Sequence, residues 1–309
     1  MRGTLKRLAG RLAGIAFTLW AVFTITFALM LVVPGGPFDR EKPIPESIKR
    51  NMEARYGLDD PVPVRYFRQM KNLVTLNFDP SYTMEDFNVG EIIGSGLPIS
   101  ASLGLVSLTL ALCVGMVAGV ISAVRRGTPY DVGLMVLATL GIAVPNFVVA
   151  GLVVIVVSFW LQWLPPAGWG TVRQLILPAV CLAAPYAAYI ARLTRSGMLE
   201  VLNLDYVRTA YAKGLPSRTV VLRHALRGAL LPVITYLGPA AAGILTGSVV
   251  IEQVFNVPGL ASHFIQSAAQ RDWTLLTWLV MVYTLLLSSM NLLVDLSYAM
   301  IDPRIKEGD

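Results

Sequence analysis

Six apolar stretches of this 309-residue chain are free of charged residues, and they decide what it can fold into. They are Leu12–Pro37, Ile92–Val124, Val132–Val172, Gln174–Ala191, Gly228–Ile251 and Trp273–Val294. A helix needs about 20 consecutive apolar residues to cross a bilayer. The shortest stretch has 18 residues and the longest 41. Pro165, Pro166 and Gly168 end a helix inside the longest, which therefore holds one span and an uncharged extension. Six spans are predicted. Hydrophobic residues make up 55% of the chain and charged ones 14%, against about 25% charged in a typical soluble domain. One globule cannot hide that much apolar surface. A soluble enzyme, a disordered protein and a disulfide-stapled secreted domain are excluded, and an all-α integral membrane protein is left.

The positive charges set the orientation, because cytoplasmic loops carry the excess of Lys and Arg. With the amino terminus inside, Lys and Arg in short loops divide fifteen to two in favour of the inner side. The short outer loops hold only Arg173 and Arg271, and seven of the fifteen lie between Arg192 and Arg227; the long loop between the first two spans holds eight more, but it carries ten acids and counts little. Both termini are predicted to be cytoplasmic. Trp160, Trp163, Trp169 and Trp273 fall at predicted outer boundaries, where amphipathic rings settle. Arg2, Lys6, Arg7 and Arg11 precede the first stretch as they would a signal peptide. Its apolar core is longer than the usual 7–15 residues, and Pro34-Gly-Gly-Pro37 follows instead of a cleavage site, so a retained helix is predicted. Cys113 and Cys181 sit inside apolar runs, with no metal or redox spacing, and read as small buried hydrophobes.

Residues 38–91 form a polar outer loop. Pro45-Glu46 marks a helix start and Gly57 its stop, with Ile48, Met52 and Tyr56 on one face. A second helix opens at Asp60-Pro61 and places Val64, Phe67, Lys71 and Val74 together. This loop reads either as a cap packed on the outer membrane face or as a docking surface for a soluble partner.

The long inner loop is the most informative segment. Val207, Ala210, Tyr211 and Gly214 follow the i, i+3, i+4, i+7 stripe of a short amphipathic helix. Asp205 suits its first turn and Lys213 its last. Gly214 permits the left-handed residue that ends a helix, and Pro216 favours a fresh start. A second helix then runs through Val220, Val221, His224 and Ala225 into the fifth span, where Pro232 follows. The short helix is either an interfacial helix resting on headgroups or a lever that engages a cytoplasmic partner.

Arg208-Thr209-Ala210-Tyr211-Ala212-Lys213-Gly214, followed by Arg223-His224 and the run up to Pro232, resembles the signature loop of binding-protein-dependent ABC importer permeases. The general family pattern is Glu-Ala-Ala, three residues, Gly. Arg208-Thr209-Ala210 stands here instead, a form common in the dipeptide and oligopeptide branch. Pro34-Gly-Gly-Pro-Phe38, Gly247-Ser-Val-Val-Ile-Glu252 with Val257-Pro258-Gly259, and Ile301-Asp-Pro-Arg-Ile305 resemble the same branch, most of all its B-type oligopeptide subunits.

The resemblance implies a type I ABC importer permease fold in the inner membrane of a bacterium. Residues 1–96 would form the first span with the extracytoplasmic region, 97–301 a five-helix permease core and 302–309 a cytoplasmic tail. The short loop helix would be a coupling helix seated in a groove of an ATP-hydrolysing subunit. Asp205, Arg208, Thr209, Ala210, Lys213, Gly214, Arg223, His224 and Pro232 would serve that coupling. Glu252, Pro258 and Gly259 would belong to an extracytoplasmic gate. The implied partners are a second homologous permease, two ATP-binding subunits, a soluble peptide-binding protein, the peptide and the bilayer, with no nucleic acid. The same machine carrying nickel, glutathione or a peptide antibiotic shares this signature.

The remaining residues fit that role. None of the six lysines follows a glycine, so no Gly-Lys-Ser/Thr phosphate loop exists, and ATP and Mg would bind on partner chains. His224 and His263 are the only histidines, and there is no His-Glu-x-x-His. His224 reads as a polar helix-end residue and His263 as facing outer-loop water. A catalytic site, cofactor or metal on this chain is not expected, and a passive channel would need no capped helix in a basic loop. Asp295 lies within the last span, roughly 10 Å from its inner boundary, as a proton relay or an arginine partner. Pro98, Pro145, Pro178, Pro185, Pro232 and Pro239 lie in or at the ends of spans. Gly115/Gly119 and Gly243/Gly247 have the small-x-x-x-small spacing that lets helices approach closely.

Overall fold

The computed structural model describes residues 2–33, 50–51, 53–54, 56–84 and 87–301, with the side chains of 2–8, 246–247 and 294–301 left aside. The Pro34–Phe38 motif, the helix start at Pro45, the tail motif beyond Ile301 and the side chain of Asp295 lie outside the described residues. What is described is all-helical apart from one β-bridge between Pro80 and Asn88.

In chain order the helices are α1 (Arg2–Val32), α2 (Val62–Thr75), α3 (Val89–Val124), α4 (Pro129–Ala143), α5 (Asn146–Trp160), α6 (Val172–Val201), α7 (Asp205–Ala212), α8 (Ser217–Ala229), α9 (Leu231–Val254), α10 (Leu260–Ala269) and α11 (Trp273–Ile301). Ala9–Val32 of α1, α3, α6 and Trp273–Leu293 of α11 are each long and apolar enough to cross a membrane. Two bent pairs raise the number of candidate spans among the described residues from four to six.

The pairs correct the reading of unbroken spans. The 41-residue stretch contains α4 and α5, which meet at 107°. Pro145 is the cause: it has no N–H to donate, and it drives Val144 to an extended φ of −86° and ψ of 125°. Ser217–Ala229 and Leu231–Leu245 meet at 56°, with Pro232 in the first turn of α9. By contrast α6 runs unbroken through Pro178 and Pro185 for 30 residues. It also runs ten residues beyond Ala191, so Arg192 and Arg195 lie on a helix and not in a loop. The absence of charge marks where lipid can lie, whereas the helix continues as long as its backbone bonds and one packed face allow.

The chain forms two compact units, one of residues 1–99 with 259–288, the other of residues 100–258 with 289–309. In the first, Val89, Ile92 and Ile93 of α3 pack with Leu260 of α10 and with Leu275, Trp278 and Leu279 of α11. Pro61 precedes α2, as the sequence predicts, and Gly57 ends the preceding turn with a φ of +61°. Tyr66 secures α2 to α1: its ring meets Phe23 and Phe27, and its hydroxyl hydrogen-bonds Thr24 at 2.8 Å. Val64, Phe67 and Val74 remain exposed on the other side of α2.

Asp272, fully buried, joins the polar segment to the last helix. Its carboxylate caps α11 by accepting from the Leu275 N–H at 3.0 Å, and also accepts from Ser81 and from the Thr83 hydroxyl at 2.8 Å. A buried carboxylate so fully bonded escapes most of its desolvation cost. Beside it, Trp273 is buried against Tyr82, while Trp160 and Trp163 are exposed. His263 is half-buried, and its Nδ1 has no hydrogen-bond partner among the described residues. Burial therefore holds its imidazole below the ordinary histidine range, where outer-loop water would have left it unperturbed.

In the second unit, α3 and α6 touch backbone to backbone. A Cβ added at Gly115 would lie 2.6 Å from the Ala187 carbonyl, and one at Gly119 would lie 2.5 Å from Thr194 Cβ. The small-x-x-x-small spacing is realised here as direct helix contact. Gly243 makes similar room for the Tyr186 hydroxyl, and Tyr189 stacks on Tyr236 at 4.4 Å. Cys181 is buried as expected, but Cys113 is exposed on α3.

Candidate functional site

The loop between Arg192 and Arg227 forms the short helix that its residue pattern predicts, with Lys213 as its cap and not in its last turn. Helix α7 is eight residues long, too short to persist alone in water. It is held by an apolar seat. Val207 and Ala210 are buried among Ala123 of α3, Met198 and Val201 of α6, and Val220, Ala225 and Ala229 of α8. Full burial of a valine side chain stabilises by about 1.5–3 kcal/mol. The carboxyl end is closed by two backbone bonds: Gly214 N–H to the Tyr211 carbonyl at 2.9 Å, and Leu215 N–H to the Ala210 carbonyl at 3.3 Å. This paired closure requires a left-handed residue, and Gly214 supplies it with a φ of +77°. Pro216 then starts α8.

The remaining residues of α7 point outward. Asp205, Arg208, Thr209 and Lys213 are exposed, and Tyr211 is 43% exposed. Thr209 spends its hydroxyl on the Asp205 carbonyl at 2.9 Å. Arg208 and Asp205 approach only to 3.7 Å in full solvent, an ion pair of little energetic weight. Arg223 and Pro232 are exposed and His224 is half-buried on α8, in a stretch of wider π-turns from Val220 to Ala225. The α7–α8 hairpin thus buries one apolar stripe and presents a polar, cationic face.

Of the three residues expected at a gate, Glu252 is completely buried near the end of α9, and its carbonyl accepts the Val257 N–H at 2.8 Å. Pro258 is exposed, and Gly259 is buried just before α10. The loop ahead of α6 reaches the end of α9 through the Gly168 N–H and the Phe255 carbonyl at 2.8 Å. Among the described residues, no three His, Cys, Asp or Glu side chains converge as metal ligands would.

One polar cluster close to α7 escaped the sequence reading. Asp131, in the first turn of α4, is 4% exposed. Its carboxylate takes both prongs of the Arg195 guanidinium, at 2.7 and 2.9 Å. It also accepts the Gly127 N–H at 2.9 Å and the Ser122 hydroxyl. The predicted span began just after Asp131, and Arg195 was counted as a loop charge. The available signal was Thr128-Pro129-x-Asp131, a helix-start spacing that puts a carboxylate in the first turn.

Residues 115–307 match the family described as "Binding-protein-dependent transport system inner membrane component". The oligopeptide transport system permease protein OppB of Escherichia coli K12 is 44% identical over 291 residues, 94% of this chain and 95% of that protein. The chain belongs to this family. The dipeptide transport system permease protein DppB of Bacillus subtilis 168 is 43% identical over 296 residues, 96% of each chain. Haemophilus influenzae OppB is 42% identical over 304 residues, covering 98% of this chain and 99% of the relative.

The fold agrees. A chain of the inward-facing MetNI methionine ABC transporter superposes with a TM-score of 0.58 at 16% identity, over 68% of this chain and 96% of that one. A chain from the crystal structure of an amino acid ABC transporter with histidines gives 0.52 at 16% identity, over 67% and 92%. The architecture is that of a type I ABC importer permease, and the chain is a multi-pass inner-membrane subunit of an importer that works with a binding protein.

Proposed function

We propose that this chain is the permease subunit of an ATP-driven importer for oligopeptides or dipeptides, driven through α7 as its coupling helix. The carrying observation is α7 itself: Val207 and Ala210 are seated in the permease, while Asp205, Arg208, Thr209 and Lys213 face outward. Such a surface suits a separate, ATP-binding chain. The peptide assignment rests on relatives more than 40% identical over nearly their whole length, named for oligopeptide and dipeptide transport. The uneven Lys and Arg support a cytoplasmic location for α7 and both termini. A second homologous permease and two ATP-binding subunits would complete the translocase, with ATP and Mg held on the latter. Glu252, Pro258 and Gly259 would lie at the outer end of the path, where the binding protein delivers peptide.

Gly214→Val tests the lever. A Cβ at this position meets nothing within 4 Å, so the substitution strains only the backbone. Holding a β-branched residue at a positive φ costs about 1–2 kcal/mol, a shift of about tenfold in the population of the closed helix end. Peptide uptake by membranes carrying normal amounts of the variant should drop about tenfold, with Gly214→Asn in between. Wild-type uptake by Gly214→Val would remove α7 from the mechanism. The purified chain alone is expected to hydrolyse no ATP, and co-purification with its binding protein, followed by mass spectrometry of the bound ligand, identifies the cargo class.

A further inference from the structure

We propose that Asp131, gripped by Arg195 and Ser122, is the joint through which movement of α7 reaches the bent α4–α5 pair, a positioning role that rests on α7 acting as the coupling helix.

The seat of α7 and this cluster share neighbouring residues. Ser122 precedes Ala123, which contacts the α7 seat from α3. Arg195 lies one turn before Met198, which does so from α6. A displacement of α7 that moves Ala123 and Met198 therefore moves both groups that hold the Asp131 carboxylate.

Helix α4 packs along α6, but through few enclosed side chains. Of its 15 residues, only Asp131 and Ala138 are buried. Ala138 and nearby Gly141 offer small, smooth surface, and a Cβ on Gly141 would meet Ala188 of α6 at 3.2 Å. Such contacts let a helix slide. The Asp131–Arg195 fork is directional, with two parallel charge-assisted bonds that fix distance and angle together. The two charges are also slow to part, because separating them would leave a buried carboxylate unpaired. Asp131 stands at the start of α4 and the 107° break at its end, so a rotation imposed at Asp131 is carried as a rigid swing to the hinge at Pro145.

The experiment uses the assembled importer in proteoliposomes and measures peptide transported per ATP hydrolysed. Asp131→Asn and Arg195→Lys keep the bulk but lose the charge or the fork. Both are expected to lower the ratio about fivefold or more, the scale of an ordinary coupling free energy, while the KM for loaded binding protein is unchanged. Asp131→Leu with Arg195→Met replaces the pair by apolar bulk, which preserves folding in other proteins. It should assemble and show the same low ratio. A ratio within fivefold of wild type in any assembled variant overturns the proposal. Failure of all three to assemble also overturns it, by making the pair a folding determinant alone. A wild-type complex without ATP-driven uptake would instead refute the importer reading, and Gly214→Val tests the lever separately.

Discussion

Val207→Asp is expected to abolish ATP-driven uptake while leaving the chain in the membrane. Val207 is fully buried, in the seat formed by α3, α6 and α8. A carboxylate there would face the apolar side chains of that seat, and an unpaired buried charge costs several kcal/mol. An eight-residue helix has no reserve against such a loss, since its stability comes from packing and not from its own backbone bonds. Helix α7 should leave its seat, and uptake should drop by about 100-fold or more, equivalent to about 2.8 kcal/mol at tenfold per 1.4 kcal/mol. The long helices are untouched, so the amount of chain in carbonate-washed membranes should stay within about twofold of wild type, a surface-level change in free energy. Val207→Ala, which removes two methyl groups and adds no charge, should keep partial uptake. Normal uptake by Val207→Asp would show that nothing is transmitted through this seat.

Gly119→Leu should destabilise the chain more than any change on its lipid-facing surfaces. The new Cβ would lie 2.5 Å from Thr194 Cβ and 2.6 Å from the Ala191 carbonyl. Neither atom is the free end of a side chain, so relief requires α3 and α6 to separate. Helices in lipid are held together mainly by close packing, and separation forfeits that contact along the interface. Overpacking of this kind costs about 3 kcal/mol or more. That corresponds to a Tm lower by about 10 °C in a thermal-shift measurement on the solubilised protein. Gly133→Leu is the matched control. A Cβ on Gly133 meets nothing within 4 Å, and leucine is the better helix former, so its Tm should not drop. Equal losses from the two variants would refute the packing argument.

Some of these features were legible in the residues themselves. The glycine pair at 115 and 119 announces a close helix approach because no other residue permits it. Gly214 and Pro216 delimit α7 and α8 for the same kind of reason, a backbone restriction visible in one or two letters. The apolar stripe of α7 was half right: Val207 and Ala210 are buried, but Tyr211 is exposed. Other features depend on tertiary context. Pro178 and Pro185 leave α6 unbroken whereas Pro145 turns the chain through 107°. A proline in the letters therefore does not by itself say whether a helix bends or runs on. The Asp131–Arg195 pair joins residues 64 apart in sequence. Charge counting treats each as loop surface, because the partner that makes burial tolerable belongs to another helix. Trp273 shows the same limit: an aromatic near a membrane boundary settles in headgroups unless a neighbour, here Tyr82, covers it.

The length of α6 has a consequence for where a partner makes contact. Thirty residues of helix extend about 45 Å, while the hydrocarbon of a bilayer is about 30 Å thick. The surplus lies beyond the lipid, and Met198 and Val201 of the α7 seat are among its final residues. On the proposed coupling role of α7, its seat therefore stands at the end of a helix longer than the hydrocarbon is thick. A water-soluble motor seated there, as the proposed function requires, would press on α7 without entering the hydrocarbon.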